Sequence, residues 1–196
     1  MKRLLVNIML ACLPVVASAY GFEVDGIYYD YSSGTNVIVT YDDVLSLHSY
    51  SGDVIIPSTV YFNGTFYNVV GIGNYAFGGC SGLITVTIPE SVKSIGDWAF
   101  KDCTGLTSVT IRNGVTTIGD ESFYGCISLT SITIPESVTS IGEHAFCRCS
   151  GLTSVIIPEG VIDIGRQAFA SCSALTSLTI PNSITNISEG SFSGCI

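Results

Sequence analysis

A strict internal period limits what this chain can fold into. Phe77, Phe100, Phe123, Phe146, Phe169 and Phe192 fall every 23 residues, as do Cys80, Cys103, Cys126, Cys149, Cys172 and Cys195. The same spacing holds for Ile72, Ile95, Ile118, Ile141, Ile164 and Ile187, and for Leu83, Leu106, Leu129, Leu152 and Leu175. An uninterrupted period of this length is the signature of a solenoid, in which each unit stacks on the next and none buries its apolar face alone. Within one unit, Leu106 to Ile111 alternates as a short strand, Arg112 to Gly114 turns the chain, Val115 and Ile118 point back inward, and Phe123 and Cys126 close the coil. The expected fold is a β-rich solenoid with a parallel sheet.

The period also explains an unusual composition. Charged residues make up 12% of the 196 residues and apolar ones 47%, with a mean hydropathy of +0.52; roughly 25% charged is ordinary. Stacked coils lie about 4.8 Å apart, so identical side chains form columns. A column of like charges repels itself, whereas stacked Ser and Thr bond along the ladder and stacked Ile, Phe and Leu bury one another. Low charge is a structural result. Beyond residue 20 no apolar run approaches the roughly 20 residues of a membrane span.

The unit Ile-Pro-Glu-Ser-Val-Thr-Ser-Ile-Gly-x-x-Ala-Phe-x-x-Cys-x-x-Leu-Thr-Ser-Val at residues 134–155, with Leu83-x-x-Val86-x-Ile88 in place of Leu-x-x-Leu-x-Leu, resembles the BspA-like leucine-rich repeat of bacterial surface proteins. The resemblance covers residues 69–196 and implies about five and a half leucine-rich-repeat coils. The ordinary repeat wants Asn or Cys three residues past the last apolar strand position; here Ser91, Gly114, Ser137, Gly160 and Ser183 stand there, and cysteine sits three before Leu instead. The family's members are described as adhesins for host matrix proteins and other cells, so the resemblance implies an extracellular binding role without fixing the ligand. The last coil stops at Cys195-Ile196 with no polar capping repeat, so any anchor or second domain further on is expected to lie out of view.

Residues 1–19 have the form of a secretory signal peptide: Lys2 and Arg3, an apolar stretch from Leu4 to Val16, then Ala17-Ser18-Ala19. Lipidation at Cys12 is the alternative. Export implies a secreted or cell-surface location. Without Lys2 and Arg3, five basic residues face sixteen acidic ones, a net charge of −11, which disfavours nucleic acid and anionic membrane as partners. Residues 20–68 differ in character. Nine of the ten tyrosines lie between Tyr20 and Tyr75. Phe22 to Tyr41 is expected to form a β-hairpin, and Asn63-Gly64 a turn between two further strands. This segment is expected to be an N-terminal β cap over the first coil, since a bare solenoid end invites aggregation; the functional alternative is an aromatic binding face.

Six of the seven cysteines beyond the leader occupy one column, which suits buried free thiols better than bridges between regular coils. Cys147 stands outside it. With His144 and Cys149 it suggests a metal or Cys-His site, but a solvent-facing Cys147 and His144 would point away from an inward Cys149. His48 has no nucleophile pattern near it, and Asp42-Asp43 and Asp120-Glu121 lack a calcium-loop spacing. No phosphate loop and no cofactor motif is present.

Two classes of function remain: a binding module for an extracellular protein or glycan, and an enzyme or accessory domain whose catalysis resides elsewhere, with a non-catalytic spacer as a further alternative. Repeated columns give each coil the same side chain, whereas an active site requires unlike groups at one place; no catalytic residues are assigned. The natural ligand face is the outward side of the sheet, with Thr85, Ser108, Ser131, Ser154 and Ser177 in one column and Thr87, Thr110, Thr133 and Thr179, with Ile156, in the next. Trp98 and Tyr124, on the variable side, are alternative aromatic anchors.

Overall fold

The computed structural model describes residues 21–41, 50–185 and 187–195. The leader, Cys12, His48 and the Asp42-Asp43 pair lie outside the described residues. Fifteen strands and many turns make up the described chain, with no helix; none of its helices is therefore long and apolar enough to cross a membrane.

The N-terminal strands are β1 (Phe22–Val24), β2 (Ile27–Ser33), β3 (Asn36–Thr40), β4 (Gly52–Ile55), β5 (Thr59–Phe62) and β6 (Thr65–Ile72). Asp25 and Gly26, both with positive φ, form the two-residue turn between β1 and β2, and Asn63-Gly64 the one between β5 and β6. Each coil then supplies a longer and a shorter strand: β7 (Leu83–Ile88) and β8 (Ser94–Ile95), β9 (Ser108–Ile111) and β10 (Thr117–Ile118), β11 (Ser131–Thr133) and β12 (Ser140–Ile141), β13 (Ser154–Ile156) and β14 (Asp163–Ile164), then β15 (Ser177–Thr179). The chain is the parallel β-solenoid its period predicts.

There are two sheets rather than one. The main sheet runs β15-β13-β11-β9-β7-β4, parallel throughout; the second runs β1-β2-β3-β6-β8-β10-β12-β14, with β5 on β6. Val115 and Ile118 belong to the return leg that builds the second sheet, too short in each coil to show as a strand in sequence. The N-terminal strands continue both sheets: β4 pairs with β7, and β6 with β8.

Between the sheets lies one core. Phe77, Phe100, Phe123, Phe146 and Phe169 are fully buried. Successive rings from Phe77 to Phe192 stack with centroids 4.8, 5.0, 5.2, 5.1 and 5.6 Å apart and planes within 11° of parallel. Tyr50 extends the stack one step, 4.5 Å from Phe77, while its hydroxyl donates to the Thr40 carbonyl and accepts from the Tyr28 amide. Ile187, placed inward by its period, is half exposed.

The thiol column is buried and free, as its placement predicts, with Cys195 half-buried at its end. Each thiol from Cys103 to Cys195 donates to the carbonyl of the Phe 26 residues before it, Cys103 to Phe77 at 2.9 Å and Cys126 to Phe100 at 3.1 Å. Cysteine fits because it is apolar enough for the core and yet quiets a buried carbonyl. Cys147 corrects the sequence reading: it is only 7% exposed. Its column sits at half depth, where the short Cys147 and Ala170 are covered while Lys101 and Tyr124 are long enough to emerge.

Phe123→Ala should leave a cavity between two rings and cost about 3 to 5 kcal/mol, whereas Ser108→Ala, on the exposed face, should cost only tenths of a kcal/mol. Denaturant melts of the two variants check this, and similar losses would mean that inside and outside are reversed. Burial pushes Cys126 and Cys149 well up and Cys172 to about 12. A raised folded value contributes stability in full below the unfolded thiol range near 8.5 and loses it as pH rises through the folded value. Stability should therefore fall steadily above about pH 8.5. In the native protein at neutral pH, thiol reagents should react slowly with every buried cysteine from Cys80 to Cys172, Cys147 included; a fast Cys147 would contradict its burial.

Candidate functional site

Two surfaces hold the residues singled out in the sequence. On the main sheet, parallel pairing aligns Asp53, Thr85, Ser108, Ser131, Ser154 and Ser177 in one outward column and Ile55, Thr87, Thr110, Thr133, Ile156 and Thr179 in the next. The face is flat. Thr85 donates to Asp53 at 2.7 Å, and Ser108, Ser131, Ser154 and Ser177 make no side-chain bond among the described residues. In the adjacent column, Thr107, Thr153 and Thr176 give their hydroxyls to carbonyls one coil back. Ile55 and Ile156, 74% and 68% exposed, are the large apolar groups of this face.

The second surface is the edge where turns connect the second sheet back to the main one. Each turn holds a left-handed residue at Tyr75, Trp98, Glu121, His144 and Gln167, and another four residues on at Gly79, Asp102, Gly125, Arg148 and Ser171. These conformations point amides and carbonyls along the solenoid axis, so turns bond coil to coil as strands do: Trp98 N to Asp120 O, Glu121 N to Glu143 O, Asp102 N to Tyr124 O. The side chains they throw outward vary from coil to coil.

Here Trp98 and Tyr124 come into one cluster. The Trp98 ring stacks on Tyr75, 5.0 Å away with planes 15° apart. Tyr124 lies between Lys101, 5.0 Å from its centroid, and Arg148, 5.5 Å from it. Lys101 Nζ reaches Glu121 Oε2 at 2.7 Å, and this bond, helped by a hydrogen bond from Trp98, holds the Glu121 carboxyl below its ordinary value while Glu121 pushes Lys101 up. A depression of about 470 Å³ opens beside Tyr75, Lys101 and Asp102, over Gly78 and Gly79. Tyr75, Lys101 and Arg148 were not singled out in the sequence, and Glu121 drew notice there only as a carboxylate beside Asp120. The available signal was the column: Tyr75 stands one period before Trp98 and Lys101 one before Tyr124.

The Asn and Asp side chains beside this edge have structural work. Asn74, Asp97 and Asp120 each accept, through Oδ1, the amide of the residue one coil on, at 2.8 to 2.9 Å. A Cβ on Gly119 would lie 2.6 Å from Asp97 Oδ1, so the glycine is needed for this approach. His144 Nε2 is 2.6 Å from Gln167 Oε1. Among the described residues no three His, Cys, Asp or Glu group so as to hold a metal ion.

Parallel coils of 23 residues, with Leu-x-x-apolar-x-apolar strands and an inward column each of Phe and Cys, define a leucine-rich-repeat solenoid. Residues 70–196 match the family model described as the BspA type leucine rich repeat region, in six copies. The chain belongs to that family. Among solved structures, it is similar to a leucine-rich repeat protein from Bacteroides ovatus, with 37% identity, TM-score 0.82, and coverage of 90% of this chain and 45% of that one. It is also similar to the T. pallidum leucine rich repeat protein, with 31% identity, TM-score 0.79, and coverage of 89% of this chain and 78% of that one. The pneumococcal vaccine antigen PcpA, 19% identical with TM-score 0.56 over 80% of this chain and 48% of that one, shares the fold. This chain thus spans under half the length of the Bacteroides ovatus protein. No protein of curated function matches.

The Lys101–Glu121 pair is partly exposed, 29% on each side, and such pairs contribute up to about 1 kcal/mol. Glu121→Gln should therefore lower stability at pH 7 by less than about 1 kcal/mol. Because a lowered carboxyl stabilises above its unfolded range and loses that contribution as pH falls through the folded value, the gap between variant and wild type should close in acid. Melts at pH 7 and pH 3 check both the size and the sign.

Proposed function

We propose that this protein is a secreted or cell-surface leucine-rich-repeat module that binds an extracellular protein or glycan in the manner of an adhesin, and that it turns over no substrate. The observation that supports this reading is the cluster of Tyr75, Trp98, Lys101, Tyr124 and Arg148 on the turn edge. Nothing in the repeat requires these side chains, since other coils hold Gly78, Ala170 or Gln167 in the same columns. Trp, Tyr and Arg are the residues on which binding energy concentrates in protein interfaces. The hydroxyl columns of the main sheet, from Thr85 to Ser177 and from Thr87 to Thr179, offer a broad secondary contact whose individual bonds are weak and gain from multivalent display. Residues 20–68 serve in this reading as the N-terminal cap and residues 1–19 as the export signal.

A second reading, a non-catalytic spacer or accessory domain of a larger surface protein or enzyme, is favoured by the short span of this chain against the Bacteroides ovatus protein.

The test is retention of arrayed matrix proteins and glycans by the chain displayed in many copies. Retention should rise steeply with copy number, and Trp98→Ala and Tyr124→Ala should each weaken it about tenfold or more, with Ser131→Ala nearly silent. Absence of retention by the multivalent display would favour the spacer, and a hydrolysis abolished by His144→Ala or Cys147→Ala would favour an enzyme.

A further inference from the structure

Residues of the N-terminal strands and turns, Tyr50 among them, line an open cavity of about 640 Å³. Asp25 of the β1–β2 turn, Tyr29 of β2, Asp53 and Ile55 of β4, and Tyr61 of β5 are among its walls. Three observations distinguish it from a packing gap. Tyr29 is wholly buried, and its hydroxyl has no hydrogen-bond partner, although buried phenols nearly always find one. Burial, and after it the Asp25 charge, push that phenol's pKa up, and Asp25 and Tyr29 line the same cavity. No Lys or Arg occurs anywhere between Arg3 and Lys93, and neither Asp25 nor Asp53 takes part in an ion pair among the described residues. The rim is apolar and aromatic: Ile55 is 74% exposed, and Tyr61, 56% exposed, packs on Phe66 at 4.8 Å.

We propose that this cavity is a binding site for an organic cation, a primary ammonium carried on an aliphatic stem. The ammonium has three donors and no acceptor. Asp25, Asp53 and the Tyr29 hydroxyl are acceptors without a cationic partner, and a face of Tyr61 adds cation–π attraction. Ile55 and its neighbours cover the methylenes, as the stem of a lysine demands. An anionic group would be repelled by both carboxylates and would find no cationic side chain in the lining. The same chemistry is offered by a lysine side chain of a partner protein and by a free alkyl diamine. The site is separate from the turn edge and does not depend on the adhesin reading.

Calorimetric titration of the full chain with Nα-acetyl-lysine methylamide, with cadaverine and with the Nε-acetylated, neutral form of the first probe tests it. Both cations should bind, and Nε-acetylation should weaken binding about tenfold or more, since it removes the charge. Asp25→Asn and Asp53→Asn should each weaken the cations about fivefold; Asn suits the left-handed turn at 25 and still accepts from Thr85 at 53. Tyr29→Phe removes only an unpartnered hydroxyl, so it should keep or raise the melting temperature while weakening the cations about threefold. Trp98→Ala should change nothing. Tighter binding of the lysine derivative points to a protein side chain and tighter binding of cadaverine to a free amine. Equal binding of the neutral probe, or unchanged binding by both Asp25→Asn and Tyr29→Phe, overturns the proposal.

Discussion

Each coil hydrogen-bonds the next with a constant offset, and the rest of the molecule depends on that. The strands pair in register at 23 residues, Ser108 with Ser131 and Ile118 with Ile141. The turns do the same without strand geometry, Phe100 N to Ser122 O and Phe123 N to Ala145 O. With amides and carbonyls alike committed along the axis, side chains are left to fill columns. The stacked phenylalanines, the thiol row and the Asn74–Asp97–Asp120 row of amide acceptors all follow from backbone pairing.

That pairing leaves particular carbonyls to be satisfied from the side, and the sequence answers with two devices. The thiols reach the Phe carbonyls from within. At the position where the ordinary repeat has Asn or Cys, Ser137 donates to Val115 O and accepts from Gly114 N, and Ser183 donates to Val161 O. Glycine alternates with serine there because the space closes: a Cβ on Gly114 would come within 2.1 Å of the Glu90 carbonyl oxygen. Ser91 and Ser122 keep buried hydroxyls with no partner; Ser122 stands where neighbouring coils hold Ala99 and Ala145.

The inward columns were legible in the sequence because burial constrains every coil alike, so Phe123, Cys126, Leu129 and Ile118 announce their direction by repetition. Columns that vary carry less information. Cys147 was misplaced because variability was equated with exposure, whereas its position lies at half depth and accepts a short buried group or a long emergent one. The second sheet was missed because two paired residues per coil, such as Ser94–Ile95, leave no alternation to detect. Trp98 and Tyr124 stood out by size, but their grouping with Lys101, Glu121 and Arg148 depends on stacking one coil over the next and on the left-handed turns that aim the side chains. The Tyr29 hydroxyl left no trace in the sequence at all, since a satisfied tyrosine and an orphaned one look alike there.

The uniform offset also decides which genetic changes such a chain tolerates. Gain or loss of one whole unit leaves each column intact and merely alters reach, so related chains can differ in length without any redesign of the interior. A single inserted residue within a strand, by contrast, would turn the following inward side chains outward and break the bonds to both neighbouring coils. Length is thus the freest variable for this architecture, and the turn edge, where columns already differ, is where individuality accumulates without disturbing the stack.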